Sequence, residues 1–276
     1  MDEMNGTDYI HDAVCGKLTL PVIPRVVAQI VLSLSDPAVS LHVITSALEQ
    51  DPTLAARTLQ LANSPYYGGR KSLATISAAV DMLGTDALQR MVLTVGLASV
   101  FVEVPTINLR QFWHGATATA HAARLVALSC VMPRSSADAA FFGALLHEIG
   151  HVILCQAFPE QARTYFDKPA DLHGEALVIA EQQAFGVTHP EVGAAWAMQL
   201  GLPDEIGQAV RHYLAPWSSE AGPLAPSLHL ATLLVAKLDA GMPAIEALAL
   251  LDPALLDRAG VQSGRLEKLL LAWRAA

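Results

Sequence analysis

The stretch Phe142-Gly-Ala-Leu-Leu-His-Glu-Ile-Gly-His-Val-Ile-Leu154 constrains the chain most. A helix built from it is apolar on nearly every side, so it must be buried. His147 and Glu148 sit inside the stretch, with His151 one turn later. A buried imidazole or carboxylate is costly unless it is hydrogen-bonded or bound to a metal. The stretch therefore predicts a core helix that carries either a reactive polar pair or a satisfied one.

The remaining segments read as helices too. Val26, Val27, Ile30, Val31 and Leu34 share a face, and Ser40 caps a second apolar stripe at Val43, Ile44, Ala47 and Leu48. Asp51-Pro52 places a capping side chain before a proline in the first turn. Thr75-Ile-Ser77 is expected to lead into a helix from Ala78 to Leu83 with Gly84 as its stop, and a long apolar one follows from Asp86 to about Val102. Further helices are expected from Phe112 to Ser129, through the His147 stretch, from Pro159, over 173–185, over 190–200, and around His212. Residues 133–137 and 215–226 read as loops, and apolar helices follow at 229–238 and 245–251. No strand alternation persists. With 53% hydrophobic and only 16% charged residues the chain can fill a large core, and its alanine and leucine content favours helices. The expected fold is all-α, a helical bundle of two packed subdomains.

Charge and composition exclude several classes. The formal net charge is −9 and no Lys/Arg cluster interrupts it, so direct nucleic-acid binding is not expected. Met91–Val102 is uncharged but too short to cross a membrane, and no longer apolar run is evident. The acidic, polar start Met1-Asp-Glu-Met-Asn is the opposite of a signal peptide, which points to the cytoplasm. Cys15, Cys130 and Cys155 form no CxxC pattern and read as reduced, mostly core thiols.

Several pieces stand in a recognisable order. These are Leu20-Pro-Val-Ile-Pro24, Asp51-Pro52, Leu61-Ala-Asn-Ser-Pro-Tyr-Tyr-Gly68, Ile76-Ser-Ala-Ala-Val80 and Leu83-Gly84, then His147-Glu-Ile-Gly150 and Phe185-Gly-Val-Thr-His-Pro-Glu-Val-Gly193. Over residues 17–215 the chain resembles the HDOD domain, a bacterial signalling family related to the HD-type metal phosphohydrolases. The resemblance implies a lead-in at 1–16, an N-terminal helical subdomain at 17–105, an HD-like subdomain at 106–215 and a helical extension at 216–276 packed on the HD-like part.

The same resemblance assigns candidate residues. His114, His147, His189 and His212 match histidines of the HD phosphohydrolases, and Glu148 stands where the paired aspartate is expected. Such a set suits a divalent transition metal, Fe, Mn, Ni or Zn, whose bound water attacks a phosphate ester. The last carboxylate of that pattern is replaced by Thr232, and no Gly-Tyr-Pro signature follows His212. His11, His42, His121, His151, His173 and His229 read as core or surface residues. The turn cluster Asn63-Ser-Pro-Tyr-Tyr-Gly68 is either a structural corner or a contact surface in which Asn63, Tyr66 and Tyr67 meet a partner or ligand.

Three functions follow. The first is a non-catalytic regulatory module that acts through signalling proteins, in a cyclic-dinucleotide or stress-response pathway. The second is a metal-dependent phosphohydrolase acting on nucleotides or cyclic dinucleotides. The third is a metal or nucleotide sensor without turnover.

Overall fold

Caps and close helix contacts account for the architecture. A computed structural model of the chain describes residues 21–23, 27–28, 44–45, 48, 51–64, 67, 73–166 and 172–275. Among these residues there is no strand. They divide into two units, Val22–Val102 and Glu103–Leu270, the second of which also holds Pro21. The helices expected over 26–34 and 43–48 fall largely outside the described residues.

In the smaller unit, α1 (Pro52–Ala62), α2 (Ile76–Leu83) and α3 (Thr85–Ala98) pack together. The Asp51 carboxylate accepts from the N–H groups of Thr53 and Leu54 at 3.0 and 2.9 Å, and Pro52 occupies the first turn, as the Asp-Pro pair predicts. Thr75 caps α2 through its hydroxyl. Gly84 then turns the chain with φ +83°, a conformation open to glycine. Helix α3 ends at Ala98 rather than Val102. There the Ser99 hydroxyl donates to the Gly96 carbonyl at 2.7 Å, and Val102 stands in solvent.

The larger unit comprises α4 (Leu109–Ser129), α5 (Arg134–Leu146), α6 (Ile149–Ala157), α7 (Pro159–Phe166), α8 (Gly174–Phe185), α9 (His189–Gln199), α10 (Asp204–His212), α11 (Ala225–Asp239), α12 (Ala244–Ala249), α13 (Pro253–Arg258) and α14 (Ser263–Ala275) as far as Leu270. Helix α4 packs against α5 and α11, and alanines at 116, 118, 120, 122, 123 and 127 are buried along it. Its start lies three residues before the expected Phe112, because Asn108 caps it by accepting from the Gln111 N–H at 3.2 Å. The loop expected at 133–137 is instead the first turn of α5, and the loop expected at 215–226 gives way to α11 at Ala225. Trp196 of α9 is fully buried, and its indole N–H donates to the Pro21 carbonyl at 2.8 Å.

The stretch over 142–154 is not one helix. It breaks at His147-Glu148, where Glu148 leaves helical geometry at φ −110°, ψ 7° and α6 restarts at Ile149. Taken across that break, Ser135–Ala157 is as long and apolar as a membrane span, contrary to the sequence expectation. Of its most apolar window, 83% is buried within the protein, which is the position of a core segment.

Glycines set the spacing around that break. A Cβ on Gly150 would lie 2.1 Å from the His189 carbonyl oxygen, and one on Gly193 would lie 3.0 Å from Val210 Cγ1. Their bare backbones let α6 and α9 meet at close range. This contact brings His189, the first residue of α9, into the interior beside His147 and His151.

Candidate functional site

His147 sits on the turn between α5 and α6, nearly buried. Its Nδ1 donates to the Ala144 carbonyl at 2.6 Å, which places the ring proton on that nitrogen. Nε2 faces Glu148 Oε1 at 3.9 Å. Burial pushes the imidazole down and outweighs the pull of Glu148, so the ring is neutral. Burial pushes the Glu148 carboxyl up, but His147, His173 and His189, whose rings take on charge in the acid range where this carboxyl titrates, outweigh it and hold the group at about 2. His173, exposed on the rim, lies 3.7 Å from the same oxygen.

Beneath this pair runs a chain of buried and half-buried groups. Glu181 of α8 has no exposed side-chain surface. Its Oε2 accepts from the backbone N–H and from Nδ1 of His189, both at 2.7 Å, and its Oε1 accepts from His151 Nδ1 at 2.7 Å. A carboxylate cannot donate, so His189 carries its proton on Nδ1 and offers Nε2 as an acceptor. The Tyr213 hydroxyl lies 2.7 Å from that Nε2. Burial raises the Tyr213 phenol well above its usual range, so it keeps its proton and donates it. The His147 ring meets the Tyr213 ring edge-on at 5.2 Å, and His229 Nδ1 donates to the Tyr213 carbonyl at 3.0 Å.

His114 is exposed in the first turns of α4. His212, at the end of α10, has Ser218 Oγ at 3.5 Å and the exposed Glu220 carboxylate at 4.0 Å. The Thr232 hydroxyl is spent on the His229 carbonyl at 2.8 Å. Among the described residues, no three His, Cys, Asp or Glu side chains converge to hold an ion. The donor set does not fit a metal as it stands. Both ring nitrogens of His189 are already bonded, and a liganding imidazole must present a free lone pair.

Of the turn candidates, Asn63 and Tyr67 face inward. Asn63 Nδ2 donates to the carbonyls of Leu59 and Leu73, each at 2.9 Å, and Oδ1 accepts from the Leu73 N–H at 2.7 Å. Tyr67 packs against the cluster of Ala62, Leu73, Ala79 and Met91. Tyr66 lies outside the described residues. Beside this corner, α1 and α2 line an open cavity of about 650 Å3 with Leu48, Leu59, Ile76 and Val80 on its walls and Asp81 at its edge.

The HDOD domain family matches residues 20–216. The chain belongs to the HDOD family. A curated relative from Treponema pallidum (strain Nichols), itself uncharacterized, is 28% identical over 81% of this chain. This HDOD chain spans less than half, 44%, of that relative's length. A Shewanella amazonensis SB2B structure that carries the provisional name phosphohydrolase is 24% identical, with a TM-score of 0.77 over 95% of this chain and 93% of its own. A Marinobacter aquaeolei VT8 structure provisionally named a signal transduction protein is 22% identical, with a TM-score of 0.72 over 97% of this chain and 62% of its own. At such identities these two structures show that the all-α HDOD fold is shared.

Sequence reasoning missed Glu181 and Tyr213, which organise the interior of this HDOD half. Glu181 reads as one of several polar residues in the Ala180-Glu-Gln-Gln183 run, and Tyr213 adjoins a histidine that drew the attention. Nothing local marks either. The spacing of Cys155 four residues after His151 was a usable sign that the two share a helix face.

His151 makes a pH prediction. Burial pushes its imidazole down, but hydrogen bonds to Cys155 and Glu181 outweigh that and raise it from 6.5 to about 10. A folded value above the unfolded one means that the stabilisation is complete below pH 6.5 and is lost as the pH climbs to about 10. The urea midpoint of the wild type is expected to fall across that window, and His151→Gln to flatten the fall. Identical slopes in the two proteins would refute a charged His151–Glu181 pair.

Proposed function

We propose that this HDOD protein is a non-catalytic regulatory module of bacterial signal transduction that acts in the cytoplasm through partner proteins. The observation that carries the reading is His189. Its two nitrogens are committed to Glu181 and Tyr213, so the histidine that the HD resemblance assigns to a metal is here a structural hydrogen-bonding residue. Thr232 in place of the last carboxylate supports the same reading. The cavity between α1 and α2, with its aliphatic walls, supplies the apolar surface that a partner contact needs.

The test is elemental analysis of untagged wild type and His147→Ala for Mn, Fe, Ni and Zn, beside an assay on a panel of nucleotides and cyclic dinucleotides. Substoichiometric metal in both proteins and no turnover is the expected result. Stoichiometric metal in the wild type that is lost in His147→Ala, with turnover of any phosphate ester, overturns the reading in favour of a phosphohydrolase.

A further inference from the structure

Two cysteines of the larger unit are buried in contrasting surroundings. Cys130 Sγ donates to the carbonyl oxygens of Val126 at 3.3 Å and Ala259 at 3.4 Å, and the Ser129 side chain and the Arg265 charge act on it more weakly than burial does. Those acceptors hold the proton on sulfur, and burial pushes this thiol up. Cys155 Sγ instead faces the Nε2 of His151 at 3.6 Å, one turn back on α6. The opposite nitrogen of that ring donates to Glu181 Oε1 at 2.7 Å. Glu181 cannot swing away, because its second oxygen is held by two N–H groups of His189.

Thiol, imidazole and carboxylate therefore stand in line. In this order the ring takes the thiol proton through one nitrogen while the carboxylate stabilises the resulting imidazolium through the other. A second feature converges on the sulfur. Thr106 is the one non-glycine among the described residues with a left-handed backbone, φ +66°, which is a strained conformation for a β-branched residue. Its hydroxyl has the Pro105 carbonyl as acceptor at 2.6 Å and lies 3.9 Å from Cys155 Sγ. One hydroxyl proton cannot serve both at once, which leaves His151 as the group that controls the sulfur.

We propose that Cys155, His151 and Glu181 form a thiolate–imidazolium site that reacts with a small hydroperoxide. The Cys155 sulfur attacks one peroxide oxygen, a sulfur–oxygen bond forms and the oxygen–oxygen bond breaks. The departing hydroxide takes the Nε2 proton of His151 and leaves as water. Sulfur is oxidised by two electrons to the sulfenic acid, the peroxide is reduced, and His151 returns to its neutral form. Burial selects the oxidant. Cys155 has no exposed surface, the His151 side chain is 15% exposed, and the Phe166 ring lies edge-on to His151 at 4.9 Å. The structure must open locally to expose this sulfur, and a reagent the size of hydrogen peroxide needs a smaller opening than a peptide thiol or a maleimide does. This reactivity does not depend on the signalling role and survives its refutation.

The test pulses the reduced, folded full-length chain with hydrogen peroxide, quenches it into denaturing urea that contains dimedone so that the label reaches every sulfur, and follows each cysteine-containing peptide by mass spectrometry. Cys155 is expected to be trapped about tenfold faster than Cys130 in the same sample, and about tenfold slower in folded His151→Gln than in wild type. Trapping of Cys155 no faster than Cys130 overturns the proposal, as does an unchanged rate in folded His151→Gln. Should that variant not fold, the comparison of the two cysteines within the wild type decides alone.

Discussion

Glu181→Ala is expected to destabilise the larger unit by about 4 kcal/mol, because removing one partner of a buried, hydrogen-bonded charge leaves the others stranded. Three donors lose their acceptor together: the His151 ring, the His189 ring and the His189 backbone N–H. None of them is placed to recover it from bulk solvent, since the His189 side chain is fully buried and that of His151 is 15% exposed. Glu181→Gln keeps the volume and one oxygen acceptor and is expected to cost less. Urea titration followed by circular dichroism measures both. A loss below about 1 kcal/mol in Glu181→Ala would show that the network is replaceable by water or by neighbouring groups.

Gly150→Ala is the second large effect, about 3 kcal/mol, at the upper end of the cost of forcing extra volume into a packed core. The new methyl would meet backbone, not a side chain that can rotate away. The His189 oxygen lies 2.1 Å from the ideal Cβ position, and the His189 carbonyl carbon and Cα each lie 2.8 Å away. Relief requires α6 and α9 to move apart, which also draws His189 off Glu181. The variant should therefore lose thermal stability and show faster hydrogen exchange at the α9 N-terminus. A wild-type melting temperature would mean that the two helices are not held at this separation.

The fold was largely legible because its determinants are local. Asp51-Pro52 and Gly84 each announce a helix end through groups within three residues of it, and the structure uses them that way, whereas the helix expected from Ala78 begins at Ile76 because Thr75 caps it. The candidate site was legible only in its demand. The polar groups in the apolar 142–154 stretch have to be satisfied: His147 turns to the nearby Ala144 carbonyl, but the partners beyond it come from elsewhere in the chain. His151 finds Glu181 across 30 residues, and His189 finds Tyr213 across 24. The HD resemblance directed attention to a metal as the common partner of the histidines, whereas a carboxylate and a phenol hold His189. The break at His147-Glu148 was hidden for a related reason. Apolar periodicity continues through it, and only the tertiary setting, with His147 turned to the Ala144 carbonyl, marks the interruption.

The bond from Trp196 to the Pro21 carbonyl carries a consequence for how this chain is assembled and cut. It spans 175 residues and holds the indole N–H of a fully buried tryptophan. A ribosome must finish well past Trp196 before Pro21 has anything to dock on, so this closure belongs to the last steps of folding. A fragment trimmed to begin just after Pro21 would keep nearly all of the HDOD match, which starts at residue 20, and still lack the one acceptor its most deeply buried tryptophan uses. The borders of a sequence family and the borders of a foldable piece are therefore not the same here.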